Sequence, residues 1–152
     1  TAFAYGWQNV HLYEFMNEAL NASPALRKRL ALVTMHAVVK RFVRGAPPAS
    51  ERDLHEETGI PWRLLERIIN ELVAAGLLNQ VRSDTSTTPL YQPARDPASI
   101  TVLSVLQVLD AAGIDTVPFT ATESAARLAD ACNHVYAAAS QSPANTPLHD
   151  IP

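Results

Sequence analysis

The segment 50–93 constrains the fold of this chain more than any other part of its 152 residues. Ser50 and Asp53 have the spacing of a capping box, which predicts that a short helix begins at Ser50. Gly59 ends this helix, and Pro61 begins a second one with a continuous apolar stripe. Two helices joined by a short glycine-containing turn are typical of a helix-turn-helix.

Two strand-like runs follow the helix pair, over residues 77–82 and 90–93, with a polar loop at 83–88 between them. A helix-turn-helix followed by a hairpin predicts a winged helix. Periodic apolar residues predict four further helices, over 3–20, 24–44, 101–112 and 120–139. The predicted fold class is therefore mostly α, with a winged helix-turn-helix core, a small two-stranded β-wing and flanking N- and C-terminal helices.

The basic residues are unevenly distributed, although the net charge is only −3. Segment 24–50 contains six of the twelve and no acidic residue. They are Arg27, Lys28, Arg29, Lys40, Arg41 and Arg44. Such asymmetry indicates either a partner of opposite charge or a solvated helix face.

Half of the ten aromatic residues lie within the first fifteen positions. They are Phe3, Tyr5, Trp7, Tyr13 and Phe15. Aromatic rings with polar tips collect where a chain meets the membrane–water interface, but they also pack in ordinary cores. No apolar run of the chain reaches the roughly 18 residues of a membrane span.

The sequence shows no arrangement of residues typical of catalysis or cofactor binding. The five glycines are isolated, which excludes a glycine-rich phosphate loop, and the five histidines have no metal-ligand spacing. Cys132 is the only cysteine, so an internal disulfide is excluded, and we expect it to be a small buried residue. We therefore predict no metal, no cofactor and no enzymatic site in this segment.

A helix-turn-helix suggests DNA binding, for which the second helix offers Arg63, Arg67 and Asn70, and the wing offers Arg82. Glu66 and Glu71 would face the same polyanion, and segment 51–82 sums to −2. Because phosphate neutralisation supplies most non-specific affinity, this acidity argues against DNA as the partner.

Four strings of the sequence resemble, in order, the end of the YihY/BrkB family of bacterial inner-membrane proteins. The string "TAFAYGWQNVHLYEF" resembles the exit from that family's last transmembrane helix, and "SPALRKRLAL" resembles its next helix. The strings "GIPWRLLERIINELVAAGLL" and "YQPARDPASITVLSVLQVLDAAG" resemble its helix-turn-helix and its wing exit. Residues 114–152 resemble nothing that we can name.

The resemblance implies a cytoplasmic winged-helix domain at the inner face of the bacterial inner membrane, preceded by several transmembrane helices. Some family members carry the label ribonuclease BN and others are linked to virulence, but no catalytic residue carries over to this segment. Tyr5 and Trp7 would then belong to an interfacial belt, and the basic residues of 24–50 would contact anionic lipid headgroups. Because the chain begins at Thr1 rather than Met, we expect the membrane helices upstream of it.

This interpretation divides the chain into a juxtamembrane helix (1–22), a winged-helix domain (23–113), a C-terminal helix (114–139) and a flexible tail (140–152). The expected function is an interaction or regulatory module that binds a protein partner or itself. A DNA-binding transcriptional regulator is the alternative, and a nucleic-acid-processing enzyme is a more distant one. The wing exit also resembles redox-sensing winged-helix repressors, which usually need several cysteines.

Overall fold

A computed structural model describes residues 21–114 and 116–152. In chain order its elements are helix α1 (Pro24–Val43), strand β1 (Ala49–Ser50), helices α2 (Glu51–Thr58) and α3 (Trp62–Ala74), strands β2 (Leu78–Ser83) and β3 (Ser86–Pro93), and helices α4 (Val102–Asp110) and α5 (Glu123–Ser140). Short 3₁₀ turns lie at Pro97–Ser99 and Leu148–Asp150. The helix predicted over 3–20 lies outside the described residues.

The helix-turn-helix forms where its capping residues predict it. The Ser50 hydroxyl accepts a hydrogen bond from the Asp53 amide, and the Asp53 carboxylate accepts one from the Ser50 amide, so both halves of the capping box are present. Gly59 ends α2 with φ of 69°, a left-handed conformation that a side chain would strain. This local chemistry sets the sharp turn between α2 and α3.

The sheet has three antiparallel strands in the order β1-β3-β2, rather than the two predicted. Ala49 and Ser50 pair with Tyr91 and Leu90 of β3. Pro47 and Pro48, which precede this strand, exclude a helix and favour an extended backbone. The extended residues then pair with β3. The strand β3 also begins at Ser86, because pairing with β2 orders residues whose polarity alone suggests a loop.

Helix α1 is the central element and packs against α2, α3, α4 and β3. Its neighbours bury large apolar side chains around it, and within the described part of the chain Thr34 is the one buried polar residue. The Thr34 hydroxyl donates to the Leu30 carbonyl at 2.9 Å, which satisfies it within the helix. The core residues with complete or nearly complete burial include Met35, Leu54, Leu65, Ile68, Leu72, Leu77 and Leu148.

Helix α5 is exposed along its length and contains no buried residue. It begins at Glu123 with Thr122 as its N-cap, two residues later than the capping pair predicted from Thr120. Cys132 lies on this helix and is exposed, so the expectation of a buried cysteine is wrong. The predicted helix forms, but no other described element covers α5 at Cys132, so the thiol stays exposed.

The C-terminal segment differs from the flexible tail expected at 140–152. Leu148 is 1% exposed and its amide donates to the Ile100 carbonyl at 2.8 Å. His36 Nε2 donates to the Ile151 carbonyl at 2.9 Å, and Lys40 Nζ donates to the His149 carbonyl at 3.1 Å. These contacts hold the segment against α1 despite its loop-like composition.

Candidate nucleic-acid interface

Helix α3 has one buried face and one exposed face. Leu65, Ile68 and Leu72 are among the residues on the buried face, and each is fully buried. The exposed residues recur at helical spacing on the other side, and we call them the recognition face: Trp62, Arg63, Glu66, Arg67 and Asn70. The predicted candidates Arg63, Arg67 and Asn70 therefore share one accessible surface.

The turn before α3 is fixed by an aromatic contact. The rings of His55 and Trp62 meet edge to face, with centroids 5.4 Å apart and an interplanar angle of 73°. His55 Nδ1 donates to the Ile60 carbonyl at 2.8 Å, which ties the end of α2 to the turn. Trp62 remains 46% exposed at the start of the recognition face. Its position gives this face a rigid apolar end.

Helix α3 begins without a side-chain cap. Pro61 is its N-cap residue, and its carbonyl accepts the amides of Leu64 and Leu65. The amides of Trp62 and Arg63 precede the first intrahelical bonds, as in any helix start. Free amides and the positive end of the helix dipole favour an anion such as a phosphate at this position. Sequence reasoning that considered only side chains missed this feature, although the proline at a helix start is its signal.

Most acidic side chains of segment 51–82 are engaged by partners. Glu56 pairs with Arg52 at 2.9 Å, and Glu57 lies 3.5 Å from Arg41 of α1. The hydrogen bonds from Ser50 lower the pKa of Asp53, so its carboxylate stays ionised within the capping box. Arg41 lies outside segment 51–82, so its pairing with Glu57 makes this region less negative than its formal sum of −2.

Glu71, which seemed to oppose DNA binding, is neutralised by two arginines. Its Oε1 lies 3.0 Å from Arg27 Nη1 and 3.2 Å from Arg67 Nε. Arg67 belongs to the same helix, whereas Arg27 comes from the first turn of α1. The sequence gives no signal for this second partner, because the two residues are 44 positions apart.

Glu66 is the acid that remains on the recognition face. Burial raises the pKa of Glu51, and the carboxylate of Glu66 raises it further. Burial likewise raises the pKa of Tyr91 on β3, with the charges of Glu51 and Glu66 adding to the effect. Glu66 therefore lies near Glu51 of α2 and Tyr91 of β3, on the side of the face that adjoins α2 and the sheet.

The wing places Arg82 on its exposed surface, on β2. Polar side chains surround it towards the hairpin tip, and the Ser83 and Thr85 hydroxyls share a 2.9 Å hydrogen bond there. Arg95, after the hairpin, donates from Nε to the Gly76 carbonyl at 3.1 Å. This bond joins the segment after β3 to the turn after α3 at the base of the wing.

The basic residues of α1 do not form one open patch. Arg27 pairs with Glu71, Lys28 with Asp110, and Arg41 with Glu57. Lys40 donates to the His149 carbonyl. Arg29 and Arg44 are the members of this set that the structure leaves exposed. Tyr5 and Trp7 lie outside the described residues.

The described residues contain neither a membrane span nor a metal cluster. None of their helices is long and apolar enough to cross a bilayer. No group of three or more metal-ligating side chains lies together within 21–114 and 116–152.

The fold is similar to that of several solved structures. CymR of B. subtilis, described as its global cysteine regulator, matches with 22% identity and a TM-score of 0.56 over 86% of this chain and 94% of that chain. IscR of T. potens matches with 21% identity and a TM-score of 0.52 over 79% and 81%. CymR of Staphylococcus aureus matches with 23% identity and a TM-score of 0.51 over 82% and 93%.

The fold is a winged helix. The prediction of a mostly helical winged helix-turn-helix is therefore confirmed, with one more strand than expected. No protein-family model and no curated protein matches the sequence.

The comparisons correct the functional expectations. The assignment to YihY/BrkB is wrong, and the associated ribonuclease, virulence and inner-membrane terms are wrong with it, because the similar structures are regulators such as CymR. The expected attachment to the inner membrane and the expectation that DNA is an unlikely partner are wrong for the same reason, and the alternative of a DNA-binding regulator is the better supported one. Short degenerate strings are compatible with more than one helical family, and the sequence does not show which acids the fold pairs with distant arginines.

Proposed function

We propose that this protein is a DNA-binding transcriptional regulator. The observation that carries the proposal is the recognition face of α3, which presents Arg63, Arg67 and Asn70 on one accessible side of a helix. The opposite side of that helix is locked into the core. Helix-turn-helix proteins insert this second helix into the major groove, where a side chain must reach base edges from a rigid element.

The side chains of the recognition face suit base readout. Arginine forms two hydrogen bonds to guanine, and asparagine forms two to adenine. Arg63 and Asn70 lie two turns apart on α3, so they would contact different base pairs. Trp62 offers an apolar surface that suits a thymine methyl group. Glu66 accepts hydrogen bonds, as the amino group of cytosine requires.

The surroundings of α3 suit contact with phosphates. The free amides at its start favour an anion, and Arg82 on the wing is an exposed cation that suits a separate phosphate. Neutralisation of Glu71 by Arg27 and Arg67 removes a repulsion that would otherwise oppose the backbone. The similarity in fold to CymR, described as a regulator, agrees with this proposal.

Selection from a random duplex library, followed by fluorescence anisotropy, tests the proposal. We expect enrichment of a defined sequence and an affinity that falls as salt increases. Arg63→Ala should weaken binding to the enriched duplex by about 5- to 150-fold, since one base contact is worth ~1–3 kcal/mol. Arg82→Ala should weaken binding to all duplexes alike and reduce the salt slope by about one.

Arg127→Ala is the matched control, because Arg127 is 79% exposed on α5 and pairs only with Glu123 among the described residues. It should leave duplex binding unchanged. Absence of any enriched sequence, together with no salt-sensitive binding to duplex DNA, would refute the proposal. Equal losses from Arg63→Ala and Arg127→Ala would exclude α3 as the recognition helix.

A further inference from the structure

A cavity of about 290 Å³ lies where the ends of three helices converge. The first turn of α1 lines one side, the last turn of α3 another, and the end of α4 the third. Ligand pockets usually occupy about 300–1,000 Å³, so this volume suits a molecule of amino-acid size rather than a nucleotide. No residue of the recognition face lines the cavity, but Glu71, the next residue after Asn70 on α3, does.

The cavity has charges of both signs at its margin. Arg27 and Lys28 project from α1, and they pair with Glu71 of α3 and Asp110 of α4. The helix dipoles have the same arrangement, since α1 begins at the cavity whereas α3 and α4 end there. The first turn of α1 contains no acidic residue of its own. A ligand with a carboxylate and an ammonium group would complement both sides.

Arg27 carries a donor that nothing in the described part of the chain uses. Its Nε is buried and has no hydrogen-bond partner among the described residues, although Nη1 is bonded to Glu71. A buried donor without an acceptor costs free energy. A ligand carboxylate beside Arg27 would supply the missing acceptor and form the paired hydrogen bonds that a guanidinium favours.

We propose that this cavity binds a small aliphatic α-amino acid, and that its binding weakens the affinity of α3 for DNA. The carboxylate lies against Arg27, Lys28 and the start of α1. The ammonium group lies towards the end of α4, where the helix dipole is negative and Leu109 and Ala112 line the cavity. Leu109 and Ala112 provide apolar surface for the aliphatic side chain. The second half of this proposal rests on the proposed function, whereas the first half does not.

Glu71 connects the cavity to the recognition face. When a ligand carboxylate engages Nε of Arg27, one guanidinium is shared by two carboxylates, so Arg27 neutralises Glu71 less completely. More negative charge is then left on α3 beside the DNA backbone. By linkage, DNA binding weakens the amino acid to the same extent that the amino acid weakens DNA.

Calorimetric titration of the protein with L-alanine, L-valine and L-leucine tests the cavity without DNA. We expect at least one to bind with a Kd of about 1 mM or tighter. For the amino acid that binds tightest, the matching amine without a carboxylate and the matching acid without an ammonium group should each bind at least about tenfold more weakly. Failure of all three amino acids to bind, or equal binding of the analogues, would overturn the proposal.

Ala112→Leu fills the cavity from the α4 side without changing charge, and it should abolish amino-acid binding. Ala126→Leu, at an exposed position of α5, is the matched control and should bind as the unchanged protein does. Unaltered binding by Ala112→Leu would place the ligand elsewhere and refute the site. Circular dichroism of both variants confirms that each is folded.

The coupling is then measured on the duplex enriched by selection. A saturating amino acid should lower duplex affinity about five- to tenfold, within the usual range of allosteric couplings, and Ala112→Leu should remove the effect. Amino-acid binding without any duplex binding would refute the proposed function and leave the cavity intact. Duplex binding without amino-acid binding would refute the cavity alone. Binding of both without mutual effect would refute the coupling.

Discussion

Arg27 Nη1 lies 3.0 Å from Glu71 Oε1, and this ion pair joins the first turn of α1 to the last turn of α3. Glu71 also accepts from Arg67 of its own helix, so one carboxylate holds two arginines. The pair fixes the recognition helix against the central helix of the core. It also determines how much negative charge α3 presents at its surface.

A double-mutant cycle of Arg27→Met and Glu71→Gln should give a coupling free energy of about 0.5–1 kcal/mol. Both side chains keep access to water, with 23% and 36% exposure, and screening limits the interaction. Urea denaturation of the four proteins measures it. A coupling that does not differ from zero would show that the pair contributes nothing to stability, whatever its geometry.

Glu66→Gln should strengthen binding to a non-specific duplex about two- to fivefold at low salt, because it removes one repulsive charge from the recognition face. The gain should shrink at high salt, since exposed charges are screened. Anisotropy at two salt concentrations measures both effects. Asp130→Asn removes an exposed charge on α5 and should change nothing. A gain of equal size from Asp130→Asn would indicate only an effect of net charge.

Asp53→Ala should destabilise the fold by about 0.5–2 kcal/mol at neutral pH, through loss of half of the capping box. The hydrogen bonds from Ser50 lower the pKa of Asp53, so its stabilising effect is fully present above the ordinary value of 3.8. The effect disappears as the pH falls through the lowered pKa. Urea denaturation near neutral pH and in acid measures the difference, which should narrow in acid. Asp84→Ala at the hairpin tip is the control, and a constant difference at both pH values would contradict this assignment.

Leu148→Ala should cost about 2–5 kcal/mol of unfolding free energy, because the side chain is 1% exposed and its removal leaves a cavity against α1. Leu128→Ala removes the same atoms from a side chain that is 66% exposed, and it should cost less than about 0.5 kcal/mol. Thermal and urea denaturation compare the two. Equal effects would mean that the C-terminal segment does not belong to the core.

The helix-turn-helix could be predicted from the sequence because its signals are local. The capping box at Ser50 and the glycine stop at Gly59 act within a few residues of chain, and the apolar stripe of α3 follows from helical periodicity alone. The exposed positions of Arg63, Arg67 and Asn70 follow from the same periodicity. Their accessibility in the structure agrees with that reading.

The third strand and the ordered C-terminal segment could not be predicted in this way. The strand β1 has two residues and exists only because β3 passes beside it. Leu148 is buried because Ile100 and α1 provide a surface for it, while its neighbours in sequence are proline, threonine and asparagine. Composition near a residue does not show which distant surface will cover it.

The sequence by itself determined the helix-turn-helix, its capping residues and the side of α3 that faces solvent, since these depend on backbone conformation and periodicity over short distances. Only the tertiary structure decided which charged side chains are paired and which remain exposed. It pairs most of the basic side chains of α1 with acids and carbonyls of other elements, and it neutralises Glu71 with an arginine from 44 residues away. Electrostatic interactions depend on separation in space, which a count of charges along the chain cannot supply.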